Sequence, residues 1–123
     1  MNGASKYGRP LPWEFYEHCA TMMIATYVII VGSIFKPKST LIVDTWNFEA
    51  MFEGPQLPGM GRKGPACAHI MHSNGSNYVI VTGGAAPKTK AKEEEDFFDF
   101  LDTTEILIVD DYDVSQSRWI DGK

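Results

Sequence analysis

Two cysteines, Cys19 and Cys67, each have a histidine nearby, His18 and His69, and a third histidine follows at His72. Thiolate and imidazole are the donors that zinc and copper sites use. The spacing, however, matches no metal motif. His69 and His72 are three residues apart, and on a strand positions i and i+3 face opposite ways, so they cannot chelate together. The three histidines read as strand or turn residues. No nucleophile motif, phosphate-cradling glycine loop or paired metal spacing occurs elsewhere. The chain therefore reads as a non-enzyme with no cofactor. Two cysteines are too few for a disulfide framework in 123 residues, so both read as small buried hydrophobes in a reducing, cytoplasmic setting.

A second chemical feature is the block Lys88-Thr89-Lys90-Ala91-Lys92 followed by Glu93-Glu94-Glu95-Asp96 and then Phe97-Phe98-Asp99-Phe100-Leu101. Runs of like charge resist packing, which makes 85–102 a solvated insertion. The aromatic residues that close it are suited to packing on an edge or entering a partner. A third is Arg62, just ahead of an apolar run, placed either to pair within the fold or to face a ligand.

The elements that must position these residues come from a repeat. Tyr27-Val28-Ile29-Ile30-Val31-Gly32-Ser33 returns 51 positions later as Tyr78-Val79-Ile80-Val81-Thr82-Gly83-Gly84. Leu11-Pro12 matches Leu57-Pro58 at an offset of 46, and Cys19-Ala20 matches Cys67-Ala68 at 48. Leu41–Asp44 resembles Leu107–Asp110 at 66, and Phe52-Glu53-Gly54 resembles Ile120-Asp121-Gly122 at 68. Each increase falls in a loop-like stretch, as duplicated units of a sheet require. One increase is Ser73-Asn74-Gly75-Ser76-Asn77, whose Asn-Gly pair signals a hairpin.

Each copy divides into four short strands rich in Val, Ile and Tyr. The first copy has 18–24, 27–31, 40–44 and about 49–52; the second has 66–72, 78–82, 105–110 and 118–120. Residues 1–10 read as a frayed terminus, 11–56 as the first unit and 57–122 as the second. The uncharged run of 17 residues from Cys19 to Phe35 reaches the lower edge of a membrane span. Its β-branched content and its recurrence make it instead two strands turning near Ala25-Thr26. A net charge of −5 opposes a nucleic-acid partner.

Four strands per unit of roughly 50 residues is the plan of a propeller blade. Gly54-Pro55-Gln56-Leu57-Pro58, Arg62-x-Gly64-Pro65-Ala66-Cys67, Tyr78–Gly84, Thr104-Glu105-Ile106-Leu107 and Trp119 together resemble the kelch repeat. The resemblance implies an all-β fold of two four-stranded antiparallel blades forming part of a propeller. It gives structural roles to Gly32, Gly83, Gly84, Tyr27, Tyr78 and Trp119. Pro65 stands where the family often has His, Ser33 follows Gly32 in place of a second Gly, and Met51 occupies the place of Trp119, so the first copy is degenerate. The resemblance also puts Phe35, Lys36 and Lys38, then Arg62 and Lys63, then Phe97, Phe98 and Phe100 on one partner-binding face. It implies a protein–protein interaction module, such as the substrate-recognition part of a ubiquitin-ligase adaptor or a cytoskeletal scaffold. The alternatives are a fragment of a copper-oxidase propeller and a truncated product without a function of its own. Two blades leave two apolar faces open, each large side chain there forgoing about 1.5–3 kcal/mol of burial. Further blades in cis, or self-association, are expected to cover them.

Overall fold

The computed structural model describes residues 17–33, 36–47, 50–87 and 98–121. Ten strands run in chain order: β1 (Cys19–Ile24), β2 (Tyr27–Val31), β3 (Thr40–Asp44), β4 (Met51–Glu53), β5 (Ala66–Met71), β6 (Asn77–Thr82), β7 (Ala85–Pro87), β8 (Phe98–Phe100), β9 (Thr104–Ile108) and β10 (Arg118–Asp121). They make two four-stranded antiparallel sheets, β1-β2-β3-β4 and β5-β6-β9-β10, and a ribbon of β7 with β8. The expected all-β architecture is thus present, and strand limits agree with the sequence reading within about two residues. The charged insertion differs: its base is ordered as the ribbon, tied to the loop before β5 by a bridge from Lys63 to Ala85. The frayed terminus expected at 1–10 lies outside the described residues.

Local chemistry sets the turns. The apolar run beginning at Cys19 doubles back at Ala25-Thr26, where Ala25 adopts φ 52°. Among the described residues no helix is long and apolar enough to cross a membrane. At the Asn-Gly hairpin, Gly75 has φ 92°, the Asn74 side chain accepts from the Ser76 N–H at 2.9 Å, and Gly75 N–H donates to His72 O. The left-handed residue there is glycine, which carries no Cβ penalty.

One face of each sheet meets the other, with β1 lying over β5 and β6. Met23, Ile29, Val31 and Ile42 from the first sheet pack with Val79, Val81 and Leu107 from the second, all fully buried. Leu57, from the connection between sheets, is buried in the same cluster. Trp119 packs against this core and its Nε1–H donates to Pro55 O at 2.9 Å, fixing β10 to that connection. A half-buried indole with its polar edge satisfied is a stable arrangement.

The ladders refine the repeat. Val31 pairs with Cys19 and Thr40, and its counterpart Thr82 pairs with Ala66 and Thr104. Cys19 therefore corresponds to Ala66, at an offset of 47, and not to Cys67. A shift of one residue on a strand reverses the face. Equivalent positions in the two stacked sheets point the same way and cannot meet. Being one residue out of step, Cys67 faces back toward Cys19, with a Cα–Cα separation of 6.0 Å, and the two form a disulfide. The expectation of two free buried thiols is corrected: no cysteine is free.

Candidate interaction surface

The candidate residues fall at the end of the sheets that carries the β2–β3 connection, the β4–β5 connection and the ribbon. There the duplicated glycines do the same work twice. Gly32 N–H donates to Ser39 O at 2.9 Å, and Gly83 N–H donates to Thr103 O at 3.2 Å, the matching bond in the second sheet. Gly32 (φ 75°) and Gly84 (φ 81°) lie against the backbone carbonyls of Arg62 and Lys63, where any Cβ would collide. The glycines hold the strand ends against the segment that enters β5. That segment is also hydrogen-bonded to the first sheet, Arg62 N–H to Pro37 O at 2.8 Å.

Arg62 is 3% exposed. Its Nη1 donates to Gly83 O and to Thr103 O, each at 2.8 Å, and its Nη2 to Thr103 Oγ1 at 2.8 Å. Glu105 Oε1 lies 3.4 Å from Nη2, and Glu105 Oε2 is buried with no hydrogen-bond partner. Of the two roles open to Arg62 in the sequence, the geometry gives it the internal one. It neutralises a mostly buried carboxylate and saturates two loop carbonyls.

The other binding candidates separate into two patches. Lys36 and Lys38 are exposed and border a depression of about 310 Å³ shared with Glu53 and Gln56. Lys63, paired with Glu17 at 3.4 Å, and Phe100, 95% exposed, border another of about 550 Å³ with Leu101. Phe98 lies in β8 next to Phe100. Phe35 and Phe97 lie outside the described residues. Tyr27 packs on the core, whereas its counterpart Tyr78 lies on the far face of the second sheet.

That far face is apolar. Strand parity puts Ile70, Tyr78, Ile80, Ile106, Ile108 and Ile120 on it together. Ile70 is exposed and the other five are half-buried. Among the described residues no strand packs extensively across it. Tyr78, Ile80, Ile106 and Ile120 are the counterparts of Tyr27, Ile29, Ile42 and Phe52, which face the second sheet. The face open on the second sheet therefore carries the same kind of side chains as the face already covered on the first.

The opposite end of the molecule, which sequence reasoning did not single out, is acidic. The Asp44 carboxyl is held below its ordinary value by a hydrogen bond from Thr26 Oγ1 and by the Trp46 amide. Asp110 makes a similar turn, accepting from the Tyr112 and Asp113 N–H groups at 2.9 and 3.0 Å. His69 Nε2 is engaged by Asn77 Oδ1 at 2.7 Å, and His72 Nδ1 accepts from the Asn74 N–H. Among the described residues no group of three His, Cys, Asp or Glu side chains is placed to hold a metal ion. No protein family, curated protein or solved structure matches the chain.

Proposed function

We propose that the chain is a non-catalytic protein–protein interaction module built from two kelch-type propeller blades. The observation that carries the reading is the open apolar face of the second sheet. Contiguous exposed apolar surface marks an interaction site, and this one repeats the side chains of a face that another sheet already covers. Its natural occupant is a sheet of the same kind, supplied by a further repeat or by another copy of the chain. The kelch assignment draws support from the repeated glycine bonds, the buried Arg62 and the Trp119 anchor.

The compartment changes with the disulfide. A cytoplasmic location suited free thiols; a bond joining β1 to β5 suits an oxidising one. That weighs against the ubiquitin-ligase and cytoskeletal roles, which belong to reducing compartments, and favours a binding partner at the cell surface or beyond it.

Size-exclusion chromatography with light scattering tests the open face. The purified chain is expected to associate as its concentration rises. A folded chain that stays monomeric across that range would refute the proposed covering of this face.

A further inference from the structure

At the acidic end, between the two sheets, lies a cleft of about 420 Å³, a size suited to a small ligand or a single side chain. One wall comes from the first sheet: the Ile24–Tyr27 turn and Phe52. The other is the β9–β10 connection, Asp111 to Ser115. Ile24, Tyr27, Phe52 and Val114 belong to or pack against the core, so the floor is apolar and supported from below. The rim is different. Asp111, Tyr112 and Asp113 are exposed, and Tyr112 is entirely so.

That rim is held in place. The Asp110 side chain accepts two backbone N–H groups, while Asp113 Oδ1 accepts from Ser115 N–H at 3.0 Å and from Ser115 Oγ at 2.6 Å. The Tyr112 ring is thus presented to solvent by a fixed turn instead of folding onto its own sheet. The Asp111 carboxylate bonds to no described residue. Among the described residues Lys36, Lys38, Arg62 and Lys63 lie at the other end. Arg118 is nearer: on the outer side of this turn it borders a depression with Asp110, Asp111 and Tyr112, but it does not line the cleft.

Aromatic faces beside carboxylates that are held in no salt bridge attract a cation and repel an anion. An apolar floor favours a cation carried on a hydrocarbon stem, the build of lysine and arginine. We propose that this cleft receives a lysine or arginine side chain of a protein partner. The stem lies along Ile24, Tyr27 and Phe52, and the charged head sits between the Tyr112 ring and the Asp111 and Asp113 carboxylates. Only the source of the cation rests on the protein-binding reading above; the cleft itself does not involve the open face.

The test is an amide NMR titration of the full chain with three blocked tripeptides, Gly-X-Gly, in which X is lysine, arginine or uncharged norleucine. The basic peptides are expected to shift Ala25, Thr26 and Tyr112–Ser115, less so as salt is added, and norleucine is not. Asp111→Asn and Tyr112→Ala alter exposed turn positions. Each is expected to weaken binding about two- to fivefold, the scale of one exposed cation–π contact or charge pair, with other amides unmoved. Equal shifts with norleucine, no shifts with either basic peptide, or unchanged binding in both variants would overturn the proposal. Because the open face is assayed by self-association and the cleft by peptide shifts, either idea can fail while the other stands.

Discussion

Arg62 shows how one side chain can be legible in type and undecided in role. A lone arginine before an apolar run is consistent with a ligand contact or a buried strut. The choice depends on whether carbonyls and a carboxylate converge on it, and these come from Gly83, Thr103 and Glu105, distant in the chain. Replacing it with methionine removes the cation and leaves Glu105 buried and unpaired. We expect Arg62→Met to lower stability by about 3 kcal/mol in urea unfolding, at the lower end for a broken buried pair. Adding Glu105→Gln should recover part of that loss. A role confined to ligand contact would leave the unfolding curve unmoved.

At the scale of elements, strand content was plain in the sequence, because β-branched runs bounded by Asn-Gly, Gly-Gly and Pro suit a pleated surface and little else. Register was less plain. Matching Cys19 with Cys67 looked natural from identity, yet the ladders place Cys19 opposite Val31 and Ala66 opposite Thr82. The one-residue difference is what lets the two sulfurs meet. The bond joins the leading strands of the two sheets across a sequence separation of 48. Closing a loop of that length restricts the unfolded chain by about 4 kcal/mol in the entropic account. Urea unfolding with and without reductant is expected to show a loss approaching that value, and Cys67→Ser should reproduce it without reductant. Equal stability in both conditions would mean that sheet packing alone holds β1 to β5.

At the scale of the whole molecule, the two sheets stack by one face each, and among the described residues no strand packs extensively on the outer face of the second. Ile106 sits near its middle, half-buried, between Ile80 and Ile120. A charge there meets water in the isolated chain and an apolar sheet in an assembly. Ile106→Asp is therefore expected to lower the chain's own stability by about 1–2 kcal/mol, from lost half-burial and strand preference, while leaving it folded and abolishing association in light scattering. If the variant associates as the parent does, contact is made elsewhere. The aspartates beside the cleft between the sheets, Asp111 and Asp113, are exposed, whereas Lys63 and Arg62 at the other end are paired with Glu17 and Glu105.

The order of residues alone determined that this is a duplicated, all-β chain with tight glycine and asparagine turns. Those properties follow from local sterics and from side-chain alternation, which act over a few residues. Which faces meet was settled only by the tertiary structure, and with it the disulfide, the burial of Arg62, the open isoleucine face and the cleft beside Tyr112. Each of these depends on contacts between segments tens of residues apart, and the pattern within a strand does not specify its neighbour across a sheet interface.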